Sequence, residues 1–339
     1  MRSSAASDVY KRQMVVSAAL SSCLSNTGTA ACLMPVVLGI CAAAKIPASR
    51  QLMPLAYAAG IGGVITMVGT PPNIIVSGVL TSFGYESFSF FEFAWIGIPL
   101  TFVVIAYMMF IGKYLLPKAE LDADQEIEQE IEATVTDSKK QIVSGLILAV
   151  CIIVMALDLK AISLEMTAIV GALVCVLTGC LTEKQAYSAI DWVTIFLFAG
   201  MMPVSAAMDK TGAGKLIAEW AVSLMGGSPT PIIMTSVLFI ISCTLTQFMS
   251  NTAACALLAP VGVAISQQLG ASPKAVLMAI GVAASCAFAT PVGTPPCTLV
   301  LGPGGYKFMD YVKVGVPLVV LCFIVSIIVI PMVWPFFPG

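Results

Sequence analysis

Twice in this chain the tripeptide Ser-Asn-Thr stands in the middle of an apolar run, at 25–27 and again at 250–252. Each is followed by a Gly-Thr-Pro-Pro break after almost the same interval. Gly69-Thr70-Pro71-Pro72-Asn73 begins 44 residues after Ser25, and Gly293-Thr294-Pro295-Pro296-Cys297 begins 43 after Ser250. Smaller details repeat as well. Ser21 and Thr246 stand four residues before the two tip serines, Pro35 and Pro260 stand ten after them, and Gly97-Ile98-Pro99 answers Gly315-Val316-Pro317. The pattern reads as an internal duplication with one compound site, half from each copy.

The apolar runs around these breaks set the class. Only 10% of the residues are charged, against about 25% in a soluble domain. The charges cluster and leave spans near the ~20 residues that a membrane helix needs. The runs do not alternate as the strands of a barrel would. The expected fold is therefore an all-α polytopic membrane protein, an inverted-repeat transporter with two re-entrant helical hairpins and two broken transmembrane helices. A net charge of -2 with scattered basic residues gives no footprint for nucleic acid. The chain has no histidine, which disfavours a zinc site or a histidine base. Its eleven cysteines form no CxxC pair and read as small buried hydrophobes.

In order, residues 1–13 are polar and read as a non-native or disordered leader. Residues 14–116 read as a partial first repeat. It comprises a hairpin with short arms (Met14–Leu24 and Gly28–Ala44), a broken helix (Gln51–Met67 and Ile74–Phe83) and a span at Phe91–Leu116. Consecutive prolines remove two amide donors, so the helix must open beside them. Open backbone at membrane depth is tolerated only where it is buried in protein or lines a cavity. Residues 117–140 form an acidic cytoplasmic linker. Residues 141–339 read as a complete second repeat, with spans at Ile142–Leu157, Ile162–Leu181 and Asp191–Met208, an interfacial helix at Gly212–Gly226, the second hairpin, the second broken helix and a last span at Tyr311–Val333. Five crossings separate the hairpins, an odd number, so the second enters from the opposite face. With the first hairpin opening inward, twelve basic residues fall on the cytoplasmic side and four outside, in line with the positive-inside rule.

A helix that stops before each tip and restarts after it offers two kinds of ligand. The restarting arm presents free N–H groups and suits an anion; the stopping arm presents free carbonyls and suits a cation. Ser, Asn and Thr cap helices and add side-chain oxygens. Burying a carboxylate costs several kcal/mol. A helix terminus returns roughly 0.3–1 and at best ~2 kcal/mol. Charge-assisted hydrogen bonds add roughly 1.5–3 kcal/mol each. No Lys or Arg lies inside a span to supply the balance, so co-bound cations are the remaining source of positive charge. No carboxylate lies near either tip for a proton relay, which favours sodium.

As a set, Ser25-Asn26-Thr27 with Gly69–Asn73, and Ser250-Asn251-Thr252 with Gly293–Cys297, resemble the divalent anion/sodium symporter family of dicarboxylate, citrate and sulfate permeases. The likeness runs from about Met14 to the C-terminus. It implies an elevator-type transporter in a bacterial inner membrane, a homodimer embedded in the lipid bilayer, carrying a small dianion with sodium ions and using no organic cofactor. By this resemblance Asn26, Thr27, Asn251 and Thr252 touch the substrate, and Thr70, Thr294 and Pro295 line it. One sodium falls to Ser25, Asn26 and Gly69, and another to Thr246, Ser250, Asn251 and Gly293. Two departures stand out. Cys297 replaces the asparagine found at Asn73, and a thiol is a poor sodium ligand. The opening spans of the first repeat are also missing, so the chain is expected to be a fragment. A C4 dicarboxylate such as succinate or malate is the expected cargo. Anion exchange, or transport of citrate, sulfate or a metalloid oxyanion, is the alternative. A membrane-embedded enzyme or a channel is disfavoured.

Overall fold

The computed structural model describes residues 2–117, 138–157, 164–190 and 230–337, with single positions between 192 and 223. The acidic linker at 118–137, most of the span expected at 191–208 and most of the interfacial helix expected at 212–226 lie outside the described residues. All regular structure among the described residues is helical.

The first hairpin pairs α1 (Arg2–Ser21) with α2 (Asn26–Ala44). Helix α3 (Leu52–Gly62) is buried at every residue. A short 3-10 turn and an open stretch separate it from α4 (Pro71–Ser82), and α5 starts at Ala94, runs to Tyr107 and continues through a π turn to Leu115. A second group follows: α6 (Ser138–Ala156), α7 (Leu164–Leu177) and the short α8 (Glu183–Ala189), opened by a Thr182/Gln185 capping box. The second hairpin pairs α9 (Pro231–Thr246) with α10 (Asn251–Gln268). Then come α11 (Pro273–Ser285), buried except at Lys274, α12 (Pro295–Leu301) and α13 (Phe308–Val333).

Packing follows the duplication. As α1 and α2 pack on α3, so α9 and α10 pack on α11. The restarted helices cross over: α4 packs against α10 and α11, while α12 packs against α2 and α3. Helices α5 and α13 contact each other. The glycines of the two Gly-x-Pro motifs now have a reason. A Cβ at Gly97 would come within 2.9 Å of the Ile65 amide and the Val64 carbonyl, and one at Gly315 would overlap the Phe288 carbonyl. Each glycine lets its helix touch the backbone of the break in its own repeat. Between lipid-like surfaces such close approach is what associates helices, since lipid itself is apolar and gives no hydrophobic drive.

Segments 26–44, 94–115, 139–156 and 308–333 are each long and apolar enough to cross a membrane. Leu146, Val150, Ile153, Leu173 and Leu177 of α6 and α7 are exposed, as lipid-facing residues would be.

Three expectations are corrected. Residues 2–13 are not a disordered leader but the first turns of α1, held where the Tyr10 hydroxyl donates to Met108 O at 2.8 Å and the Gln13 amide to Gln51 O at 2.8 Å. The first hairpin arms, of 20 and 19 residues, are therefore longer than expected. The proline pairs do not lie in open chain: they occupy the first two positions of α4 and α12, where a missing N–H costs no hydrogen bond. The opening falls before them, at 66–70 and 286–294.

Candidate functional site

Both tips are built alike. Ser25 (φ -63°, ψ 146°) caps α2, its hydroxyl accepting from the Gly28 amide at 3.1 Å. Ser250 (φ -62°, ψ 146°) caps α10, accepting from the Ala253 amide at 3.2 Å. The first amides of α2 and α10 have no preceding turn to donate to, so each arm offers an N-terminus at its tip. The residue four before each serine braces the asparagine. Ser21 Oγ donates to Ala59 O at 2.6 Å and lies 2.8 Å from Asn26 Oδ1. Thr246 Oγ1 donates to Ala284 O at 2.7 Å. With its amide oriented to satisfy its neighbours, Asn251 Nδ2 has three acceptors within reach of its two N–H groups: Thr246 Oγ1 at 2.8 Å, Gly293 O at 3.0 Å and Ala284 O at 3.2 Å. Asn26 Nδ2 donates to Gly60 O at 3.2 Å.

The breaks match too. Thr70 (φ -145°, ψ 141°) and Thr294 (φ -145°, ψ 139°) precede the prolines in the same extended conformation, and both are buried. Gly69 and Gly293 are required by contact: a Cβ would overlap the Gly63 carbonyl in the first case and lie 2.6 Å from Thr246 O in the second. Thr66 and Thr290, each three residues before its glycine, tie the break to the tip. The Thr66 hydroxyl donates to Ser22 O, and that of Thr290 to Gln247 O at 2.5 Å.

An open cleft of about 800 Å³ joins the two halves. Thr27 from the first tip meets Met249 and Ser250 from the second, with Gly293, Pro295 and Thr298 from the second break. Phe248, Val292 and Leu299 add apolar surface, and Gly302 and Pro303 complete the lining. None of its lining residues is charged. Of the residues expected at the site, Thr27, Ser250, Gly293 and Pro295 share this cleft. Asn26 and Thr246 are buried behind their tips, Asn251 and Thr252 are half-buried, Ser25 is exposed, and Gly69, Thr70 and Thr294 are buried. None of these eight lines the cleft. The symmetric enclosure by two tips and two breaks is thus a cleft built mainly from the second repeat. The two restarted helices also differ in length: α12 stops after seven residues and the 302–303 turn after it lines the cleft, whereas α4 runs for twelve.

Sequence reasoning passed over Phe248 and Thr298, which follow no repeat, and Val292, which answers Val68 of the first copy. It also passed over Thr66, Thr290 and Gln247. The matched threonines three before each Gly-Thr-Pro-Pro were a usable signal, and Gln247 stood beside Thr246.

The chain matches the family model described as citrate transporter (CitMHS) over residues 6–161 and 150–337. It is 33% identical over 329 residues to an uncharacterized transporter of Haemophilus influenzae, covering 92% of this chain and 69% of that protein. It is 26% identical over 361 residues to the sodium-dependent dicarboxylate transporter SdcS of Staphylococcus aureus, covering 96% and 69%. Among solved structures, the YdaH transporter of Alcanivorax borkumensis aligns with a TM-score of 0.64 at 17% identity over 94% of this chain and 77% of that one, a likeness of fold. Relatives named as transporters set the enzyme reading aside, and the chain is an integral multi-pass membrane protein. With both of its halves matched by one family model, this chain belongs to the citrate transporter family, of the divalent anion/sodium symporter type.

Proposed function

We propose that this protein is a sodium-coupled symporter of a small divalent anion, a C4 dicarboxylate such as succinate or malate, moving it by an elevator-type alternation of two inverted repeats. One observation carries the reading. Two identically capped helix tips face a shared cleft in which no side chain is charged. Helix ends and neutral oxygens alone return too little to hold a dianion, so cations bound beside it supply the remainder. Asn251 holds the Gly293 carbonyl of the second break, and Asn26 holds the Gly60 carbonyl at the end of α3. Thr27 and Ser250 meet the anion, with Thr70, Thr294 and Thr252 behind them. The carbonyls near Gly69 and Gly293, with Ser25, Thr246 and Ser250, suit sodium. The name of SdcS supports sodium and a dicarboxylate, and the family's description favours citrate as the second reading. Uptake of labelled succinate, citrate and sulfate by the full-length protein in proteoliposomes, with and without a sodium gradient, separates them. Succinate uptake that needs sodium is the expected result. Uptake indifferent to sodium overturns the coupling.

A further inference from the structure

At two matched pairs of positions, 73/297 and 22/247, the repeats differ in a reciprocal way. In the first repeat an amide stands after the break: Asn73, fully buried, donates from Nδ2 to Thr66 O at 2.8 Å, with Val64 O at 3.4 Å and Gly63 O at 3.5 Å. The second repeat has Cys297 there, whose thiol reaches only Ala287 O at 3.9 Å. At the tip the exchange runs the other way. The second repeat has Gln247, where the first has Ser22, whose hydroxyl turns to its own helix at Ala19 O, 2.7 Å away. Gln247 is buried, and its Nε2 donates to Cys243 O at 2.9 Å and Cys286 O at 3.0 Å. Its Oε1 accepts from the Ala289 amide at 2.9 Å, and its carbonyl from Thr290.

We infer that Gln247 is the positioning residue of the second half-site, replacing from the hairpin side the brace that Asn73 supplies from across the break. Open backbone needs such a brace, because each unpaired buried amide or carbonyl there is costly. The location of the brace has a consequence. Asn73 ties the first break to its own restarted helix. Gln247 ties the 286–290 stretch to a hairpin tip, so the second tip and the loop leading to Gly293 O move as one body. The tie stands on these contacts alone; its effect on transport rests on the symport reading above.

Hydrogen–deuterium exchange on the full-length protein in detergent tests the tie. Gln247→Ala is expected to speed exchange across 286–293 and leave 63–70 unchanged, and Asn73→Ala to do the reverse. Gln247→Met keeps the volume without the bonds and reads the same tie where the alanine variant does not fold. Unchanged exchange at 286–293, or equal acceleration in both segments, overturns it. In proteoliposomes Gln247→Ala is expected to raise the half-saturating sodium concentration roughly fivefold or more, the scale of one buried hydrogen bond, with a smaller change in maximal rate. Faster exchange with unaltered sodium dependence overturns the positioning role. Faster exchange in a protein whose wild type ignores sodium leaves the tie standing and removes the symport reading instead.

Discussion

Gly63 has no room for a side chain because Asn26 stands where it would go: a Cβ at 63 would overlap the Asn26 amide oxygen and come within 2.8 Å of Gly69 O. The first tip and the first break are in van der Waals contact through a missing methyl group. The second repeat carries Ala287 at the matching place, and its methyl lies 3.0 Å from the space a Cβ on Gly293 would fill. Gly63→Ala is therefore expected to push Asn26 off its partners. Overpacking of this kind costs about 1–3 kcal/mol. A lowered melting temperature with loss of most uptake is the expected pair of results. Gly39→Ala in α2, where a Cβ meets nothing within 4 Å, is the control and should leave both intact. Wild-type uptake in Gly63→Ala would show that the contact yields without consequence.

Asn251 and Thr252 open α10 at the second tip. Truncating Asn251 removes the side-chain donor to Gly293 O and leaves Ala284 O to the Thr246 hydroxyl alone. Asn251→Ala and Thr252→Ala are expected to reduce anion uptake to background while the protein still elutes as a folded species. Leaving a buried polar group without its partner costs about 1–3 kcal/mol, roughly a 5- to 150-fold loss. Size-exclusion profiles and uptake measured side by side decide it. Uptake preserved in both variants takes the tip out of the site.

The duplication was legible from residues alone because it rests on spacing. Ser21, Ser25, Gly69 and Gly97 each found a counterpart, and the structure gives each pair one contact or one conformation. Other features were not legible. The length of α1 was missed because its first turns are polar; Tyr10 and Gln13 hold them through bonds to Met108 and Gln51, residues far off in the chain. The proline pairs were placed in open chain because a proline excludes a helix interior but equally favours a helix start, and sequence does not say which side opens. The one-sided cleft was hidden because it depends on packing: Phe248 has no counterpart in the first copy, and Val292 is exposed where its counterpart Val68 is half-buried. Gln247 was hidden because its partners, at 286 and 289, come from a loop whose path only packing fixes.

The lining of the cleft contains no titratable group, and this sets its response to pH. A site built on helix ends and hydroxyls keeps the same charge across the physiological range. Sulfate remains a dianion there, so any sulfate uptake should be flat between about pH 6 and 8, outside the range in which ordinary carboxyl groups titrate. A dicarboxylate takes up a proton as pH falls toward its own carboxyl range, so the dianion fraction and its uptake should fall together. Uptake of each anion, measured at fixed sodium and corrected for dianion concentration, should lie on a level line. A bell-shaped profile surviving that correction would point to a side-chain acid or base elsewhere on the transport path.

Thr27 and Ser250 are 223 residues apart in sequence and line one cleft. Neither is buried, so cysteines placed there should be accessible. In a background with the eleven native cysteines replaced, Thr27→Cys/Ser250→Cys is expected to form an intramolecular bridge with a short thiol-reactive linker. The bridge should arrest uptake, because a linker across the cleft occupies the space the anion needs. Each single variant should react with the linker and give no bridge. Substrate with sodium should protect the pair, while sodium alone should protect less, since the anion meets both side chains and the cation only that of Ser250. A pair that never bridges, in a protein that still transports, would mean that the two tips do not face one another in any state the transporter visits. The shared site would then have to be rebuilt from the second repeat alone.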